Sequence, residues 1–194
     1  PDLFTLNDNG KKVWILIVNI NPGGPNGGSA TQYFVGKFNG KKFVADNETI
    51  KWLDYGPDEY AGVTWSNTGD RRIFLGWMSN WLYANVVPTI KWRNAMTIPR
   101  ELKLKHVGKD ILVTSEPVKE LSLIEEKPII DRNILINKDF DVVQKIKKVS
   151  FPCRLNLSMD STEDFSVILS NDIGEQVVIG YDKNNNRYYI DRTK

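Results

Sequence analysis

Apolar residues along this chain are grouped in short runs that Gly, Asn and Pro residues separate. Residues 13–20 are dense in β-branched and aromatic side chains, which favours a buried strand over a helix. Residues 31–38 and 41–45 flank Asn39 and Gly40, a dipeptide that suits a two-residue hairpin turn, so a β-hairpin is predicted there. Further strands are predicted at residues 60–65, 72–78, 101–106, 111–114, 167–169, 176–181 and 187–190.

Almost no segment has apolar residues at helical spacing, so the pattern predicts an all-β protein of hairpins and meanders. Strand spacing alone does not separate a propeller from a sandwich or a barrel. Residues 116–128 are charged, bounded by proline and free of alternation. They are predicted to connect two domains, with the boundary near residue 120.

Residues 76–102 carry the most informative chemistry in the chain. Trp77, Trp81 and Trp92 fall within sixteen positions, beside amide and hydroxyl side chains. Indole rings stack on the apolar faces of sugars, while amides and hydroxyls form hydrogen bonds with sugar hydroxyl groups. The segment therefore predicts a carbohydrate site.

Composition excludes several classes of partner and chemistry. Lys and Arg number 26 against 24 Asp and Glu, so no broad basic field favours nucleic acid or an anionic membrane, and neither partner is expected. Cys153 and His106 are the single cysteine and histidine, too few for a disulfide, a Cys/His zinc site or a conventional catalytic pair. No metal or cofactor is expected. Cys153 is predicted to be buried, and His106 to mark a solvent-facing strand end.

Three segments resemble the signature of glycoside hydrolase family 32, the invertases, inulinases and levanases. Residues 76–81, GWMSNW, are similar to the family's Gly-Trp-Met/Ala-Ser-Asn-Trp segment, and residues 92–102, WRNAMTIPREL, to the segment that follows it. Residues 54–62, DYGPDEYAG, resemble the family's Asp-Tyr-Gly-x-Asp-Phe-Tyr-Ala motif. The resemblance implies that residues 1–119 are the last blades of a five-bladed β-propeller and that residues 120–194 begin a C-terminal β-sandwich.

The resemblance also implies a retaining glycosidase that hydrolyses β-fructofuranosyl linkages in fructans (levan or inulin) or in sucrose with two carboxylates. Residues 1–4, PDLF, are similar to the continuation of the family's Glu-Cys-Pro-Asp-Leu-Phe, so the acid/base glutamate is expected two positions before Pro1. No segment resembles the family's Asn-Asp-Pro-Asn or Arg-Asp-Pro motif. We expect a fragment truncated at both ends, inactive alone, with blade edges that self-associate.

On the family pattern, Trp77 lines the fructose pocket and Asp54 lies close to the sugar subsites, where its carboxylate accepts hydroxyl hydrogen bonds. Trp81 extends the flat surface toward a second sugar. The alternative is structural: the tryptophans pack between blades, and Asp54 organises the turn at Gly56. Pro57 stands where plant invertases carry a lysine that serves sucrose, which favours a microbial enzyme acting on fructan chains.

Other functions stay open at this point. A non-catalytic carbohydrate-binding protein would keep the same aromatic wall, and a fructosyltransferase would use the same covalent intermediate with a sugar acceptor. Fructans are extracellular polymers, so a secreted or periplasmic location is expected. Asp58 is assigned a structural role, and Arg100 and Glu101 are expected to form structural ion pairs.

Overall fold

The computed structural model describes residues 1–136, 153–159 and 163–192. They fall into two compact units, Pro1–Pro128 and Ile129–Lys194. Apart from one 3-10 helix, Lys119–Leu123, the regular elements of the described residues are β-strands, which confirms the predicted all-β class. The division into domains near residue 120 stays a prediction.

The first sheet of unit one is an antiparallel meander. Its order is β1-β2-β3-β4, and a short strand, β5, also pairs with β3. The strands are β1 (Asp2–Asp8), β2 (Lys11–Ile20), β3 (Ala30–Phe38), β4 (Phe43–Ala45) and β5 (Lys51–Trp52). The sequence pattern did not predict β1, whose buried Phe4 and Leu6 alternate with polar and partly exposed neighbours.

The predicted hairpin between β3 and β4 is present, but its loop is longer than two residues. Phe38 pairs with Phe43, so four residues separate the strands. The Oδ1 atom of Asn39 accepts hydrogen bonds from the backbone amides of Lys41 and Lys42 at 2.9 and 2.8 Å. This side chain closes the turn, which lets the wider loop replace a tight one.

The second sheet has the order β10-β9-β7-β6, and β8 pairs with β7. All its ladders are antiparallel. The strands are β6 (Tyr60–Thr64), β7 (Ile73–Met78), β8 (Ala95–Met96), β9 (Arg100–Val107) and β10 (Asp110–Pro117). Four of these five match the predicted strands, and β8 is too short for sequence periodicity to detect.

Buried side chains from both sheets form one hydrophobic cluster, which packs the two sheets together. Its largest fully buried member is Phe74 of β7. The cluster consists of Phe4, Leu6, Ile15, Ile17, Tyr33, Val35, Leu53, Phe74 and Leu102. Burying apolar area in this way supplies most of the favourable free energy of folding.

Polar side chains of the first sheet also bind the backbone of β6. The Oδ2 atom of Asp2 accepts hydrogen bonds from the backbone amide and the hydroxyl of Thr64, at 2.8 and 2.7 Å. The Nδ2 group of Asn19 donates to the carbonyl of Gly62 at 3.3 Å, and the same Asn19 accepts from the Thr31 hydroxyl at 2.7 Å. These bonds fix the start of β1, the end of β2 and the course of β6 relative to one another.

Unit two contains one antiparallel sheet among its described residues, with the order β11-β12-β13. Its strands are β11 (Phe165–Ser170), β12 (Gln176–Asp182) and β13 (Arg187–Asp191). The rings of Phe165 and Tyr181, which are cross-strand partners, stack at 6.4 Å. All three strands lie where the alternation of the sequence predicted them.

Replacing the core aromatic of unit one tests this packing. Phe74→Ala is expected to lower the free energy of unfolding by about 3 to 5 kcal/mol, because a fully buried ring is lost and a cavity remains. Denaturant unfolding measures the change. Val63→Ala on the adjacent strand removes a side chain that is 55% exposed and should change stability by less than about 0.5 kcal/mol. Equal effects of the two substitutions would contradict the assigned core.

Candidate carbohydrate site

Three aromatic rings follow one another at the end of the second sheet where β6 begins and β7 ends. Tyr60 and Trp77 are cross-strand partners on β6 and β7, with ring centroids 6.2 Å apart. Trp81, in the turn that follows β7, lies 5.1 Å from Trp77 with the ring planes at 55°. We call Tyr60, Trp77 and Trp81 the aromatic row.

The aromatic row is accessible to a ligand. Trp81 is 52% exposed, Trp77 is partly exposed, and neither belongs to the hydrophobic cluster. The structure thus brings the two predicted tryptophans together, and a tilted pair of indoles offers apolar faces to a sugar ring. Trp92 is more exposed still, at 67%, and makes no ring contact among the described residues.

Asp54 lies in the loop that connects β5 to β6, with about a third of its side chain exposed. Its Oδ1 atom accepts a hydrogen bond from the backbone amide of Gly56 at 2.7 Å, so the carboxylate does organise this turn. Its Oδ2 atom lies 3.2 Å from the Nη1 atom of Arg100. Each carboxylate oxygen has a second lone-pair position, so the side chain still has capacity for sugar hydroxyls.

Glu59 is a buried carboxyl group, only 1% exposed, at the end of the same loop. Its Oε2 atom accepts a hydrogen bond from the Nη2 group of Arg100. Its Oε1 atom packs against Gly76, and a Cβ at that position would lie 1.7 Å from the oxygen. Only glycine fits at position 76, next to Trp77. The buried carboxyl group therefore packs against the backbone of the residue that precedes the central ring of the aromatic row.

The carboxyl group of Glu59 has a raised pKa because it is buried. Burial raises the pKa of Glu59 to about 7, the positive charge of Arg100 lowers it, and the negative charge of Asp54 raises it further. The desolvation of the carboxylate therefore outweighs its ion pair with Arg100. The carboxyl group of Glu59 therefore changes its charge near neutral pH, and it shares its partner Arg100 with Asp54.

Asn80 holds three loops together from a fully buried position. Its Nδ2 group lies within hydrogen-bond distance of the carbonyls of Gly27, Ser29 and Pro57, at 3.2, 3.2 and 2.8 Å. Its Oδ1 atom accepts from the backbone amides of Ser29 and Leu82 at 3.3 and 3.0 Å. One side chain thus links the loops that precede β3, that hold Asp54, and that carry Trp81.

The segment from β7 to β8 folds back on its own strand. Thr97 exchanges two hydrogen bonds with Gly76, one through its hydroxyl and one through its backbone amide, both at 2.9 Å. Tyr83 donates a hydrogen bond to Asp58, in agreement with the structural role expected for that aspartate. The turn that carries Trp81 is therefore anchored on both sides.

Arg100 and Glu101 form ion pairs with different partners. Arg100 binds Asp54 and Glu59, while Glu101 lies 3.0 Å from Arg71. The structural ion pairs expected at the start of this strand are therefore present. Arg100 has the larger role, because it connects a candidate substrate residue to a buried carboxyl group.

The predictions for His106 and Cys153 have opposite outcomes. His106 is 54% exposed near the end of β9, with its Nε2 atom 3.0 Å from Asp8, so the predicted solvent-facing position is confirmed. The predicted burial of Cys153 is wrong, since this residue is exposed. It lies in residues 153–159, which form no strand that would turn the side chain toward a core.

Sequence reasoning missed the structural roles of Glu59 and Asn80. Glu59 occupies the place of the Phe in the family's Asp-Tyr-Gly-x-Asp-Phe-Tyr-Ala motif, and that departure was the available signal. Asn80 offered no signal, because a buried amide cannot be told from an exposed one by periodicity.

No group of three or more His, Cys, Asp or Glu side chains within the described ranges could hold a metal ion. The described part of the chain likewise has no helix that is long and apolar enough to cross a membrane.

Antiparallel sheets with a four-strand order such as these are typical of the blades of a β-propeller. Residues 1–115 match the glycosyl hydrolases family 32 N-terminal domain. The chain belongs to glycosyl hydrolase family 32, which confirms the resemblance of the sequence motifs. Its fold corresponds to part of the five-bladed β-propeller enzymes of that family.

Relatives and solved structures agree with this assignment. The chain is 40% identical to a levanase of Bacillus subtilis (strain 168). The match covers all of this chain and 30% of the levanase. It is 35% identical to an extracellular exo-inulinase of Aspergillus awamori, over 93% of this chain and 36% of that protein. The chain thus spans between three and four tenths of the length of these relatives.

Two solved structures show the same fold. The crystal structure of exo-inulinase from Aspergillus awamori matches all of this chain and 40% of its own, with a TM-score of 0.71 and 29% identity. A fructofuranosidase from Schwanniomyces occidentalis complexed with fructosylnystose matches 98% of this chain and 41% of its own, with a TM-score of 0.70 and 28% identity.

Replacing the buried amide tests the junction of the three loops. Asn80→Ala is expected to destabilise the protein by about 3 to 5 kcal/mol, because several buried backbone groups lose their partner. Denaturant unfolding measures the loss. Asn85→Ala removes an exposed amide from the same segment and should leave stability within about 0.5 kcal/mol of the original. A loss below about 1 kcal/mol for Asn80→Ala would contradict the anchoring role.

Glu59 also predicts a pH dependence of stability. Its folded pKa of about 7 lies above the ordinary 4.5, so its stabilising contribution is complete below about pH 4.5 and is lost as the pH rises through about 7. The lost contribution is about 3 kcal/mol, since one pKa unit corresponds to about 1.4 kcal/mol.

Unfolding free energies at pH 5 and pH 8 measure this contribution. The difference between the two pH values should shrink in Glu59→Gln and remain unchanged in Glu101→Gln, whose carboxylate on β9 pairs with Arg71. The same pH dependence in both variants and in the unmodified protein would show that Glu59 does not titrate in this range.

Proposed function

We propose that the protein to which this chain belongs hydrolyses β-fructofuranosyl linkages in fructans such as levan or inulin, or in sucrose. The observation that carries the proposal is the exposed aromatic row beside Asp54 in a chain of family 32. The names of the relatives, levanase and exo-inulinase, support a fructan substrate. In the reaction, a carboxylate displaces the leaving sugar and water then hydrolyses the fructosyl intermediate, with net retention.

Three residues of this chain bind the sugar in this proposal. Trp77 packs its indole face against the apolar face of a fructosyl ring, since it lies at the centre of the aromatic row. Asp54 accepts hydrogen bonds from sugar hydroxyls with the oxygen positions that Gly56 and Arg100 leave free. Trp81 extends the apolar surface to a second residue of an oligosaccharide.

The reacting carboxylates of the proposed mechanism are placed upstream of residues 1–194. We place the acid/base glutamate two positions before Pro1, because residues 1–4, PDLF, resemble the continuation of the family's Glu-Cys-Pro-Asp-Leu-Phe. The 194 residues alone are expected to release no fructose, because double displacement needs both carboxylates. The codon two positions before Pro1 must encode glutamate if this placement is right.

Four further assignments accompany the proposal. Residues 1–119 form propeller blades, and residues 120–194 begin the C-terminal β-sandwich. The first sheet of unit one ends in β1, which pairs only with β2 among the described strands, and this edge supports self-association of these residues in isolation. A secreted or periplasmic location is supported by relatives that are extracellular exo-inulinases.

Fructose release by the full-length protein tests the function. We expect free fructose from levan, inulin or sucrose, released with retained anomeric configuration as read by NMR. Trp77→Ala should lower kcat/KM by about 10-fold or more through lost stacking. Trp65→Ala, at the opposite end of β6 and 45% exposed, should have little effect.

The other outcomes of this assay identify the alternatives. Binding of fructan without release would favour a non-catalytic carbohydrate-binding protein. Formation of longer oligosaccharides at high sucrose in place of free fructose would favour a fructosyltransferase. Equal losses in the Trp77 and Trp65 variants would contradict the stacking role of the aromatic row.

A further inference from the structure

The buried carboxyl group of Glu59 is linked both to the carboxylate of Asp54 and to the strand that carries Trp77, the two residues proposed to bind sugar. Glu59 shares Arg100 with Asp54, and its other oxygen packs against Gly76, the residue before Trp77. Its own backbone carbonyl lies 3.3 Å from the hydroxyl of Thr31 in the first sheet. Glu59 therefore contacts both Arg100, the partner of Asp54, and Gly76, the residue before Trp77.

Arg100 is held so that it can serve both carboxylates at once. Its Nη1 group faces Asp54 and its Nη2 group faces Glu59, while its guanidinium carbon lies 5.9 Å from the ring centroid of Phe74. Only 16% of the side chain is exposed. A planar guanidinium with two occupied edges has one orientation, which in turn fixes the Oδ2 atom of Asp54.

A carboxyl group at this position is costly unless it has a use. Taking a charge or an unpaired carboxyl oxygen out of water carries a penalty of several kcal/mol, and the Oε1 atom of Glu59 is buried without a hydrogen-bond partner. The resembling motif has Phe here, and a ring would fill the same region without that penalty. What the carboxyl group provides is a fixed partner for Arg100.

We propose that Glu59 is a positioning residue for sugar binding, which acts through Arg100 to orient the carboxylate of Asp54. Arg100 would otherwise pair with Asp54 alone and be free to rotate with it. The inference rests on the proposed function, because it concerns the same sugar site. Asp54 and Arg100 are the charged groups that face Glu59.

A double-mutant cycle in the full-length protein tests the inference. Glu59→Gln keeps the shape of the side chain and removes its charge, and we expect kcat/KM on levan or inulin to fall about 10-fold, mostly through KM. If Glu59 acts through Asp54, the Asp54→Asn/Glu59→Gln double variant should be no more than about 2-fold below Asp54→Asn alone. Independent roles would give multiplied losses, and that result would overturn the proposal.

Two further variants separate positioning from a general loss of structure. Arg100→Lys keeps one positive charge but lacks the planar fork that reaches both carboxylates, so it should reproduce the rise in KM. Glu101→Gln removes a carboxylate of the same strand that pairs with Arg71, and should leave KM unchanged. A rise in KM for Glu101→Gln as large as that for Glu59→Gln would count against a specific role.

The same cycle can be run on binding, by titrating tryptophan fluorescence with a fructan oligosaccharide. If the unmodified protein binds without releasing fructose, hydrolysis fails as its function and the cycle on the dissociation constant still decides the role of Glu59. Turnover with multiplied losses overturns the role of Glu59 and leaves the function intact. Absence of both turnover and binding overturns both proposals.

Discussion

The proposed sugar-binding wall, which consists of Asp54 and the aromatic row, depends on the ion pair between Glu59 and Arg100. Glu59 lies in the loop that leads into β6, while Arg100 begins β9, so their contact joins the loop of Asp54 to the second sheet. A buried ion pair of this kind adds little net stability relative to an apolar pair, but its disruption leaves an uncompensated charge at a cost of about 3 to 5 kcal/mol. The pair therefore specifies one arrangement of the wall, more than it stabilises the fold as a whole.

Buried polar groups, and not the hydrophobic cluster, place the side chains that are proposed to bind sugar. The cluster packs the two sheets together, but Asp54 and Trp81 lie on loops outside it. Asn80 fixes these loops through hydrogen bonds that have no apolar substitute. The buried polar groups have all their hydrogen-bond partners in only one position of each loop. A binding site built on these loops is therefore rigid.

The sequence predicted most of the strands, but it did not predict the buried polar contacts that hold the candidate site in place. Alternating and β-branched runs located most strands, because burial of one sheet face imposes a period of two residues on side chains. The strand β1 escaped this reasoning, since its buried Phe4 and Leu6 are too few to stand out among polar neighbours. The pairings of Glu59 and Asn80 join residues far apart in the chain, and no local pattern encodes such contacts. Trp77 and Trp81 were predicted from the mixture of aromatic, amide and hydroxyl side chains in residues 76–102 and from the motif resemblance, and the structure brings their two rings together.

A crystal structure of the full-length protein with a bound fructan oligosaccharide would show whether Asp54 and the aromatic row form one wall of a fructose site. We expect a fructosyl ring within about 4 Å of the Trp77 indole face. We also expect a sugar hydroxyl about 2.7 Å from a carboxylate oxygen of Asp54. A fructosyl unit bound with neither Trp77 nor Asp54 in contact would show that these residues do not form the site.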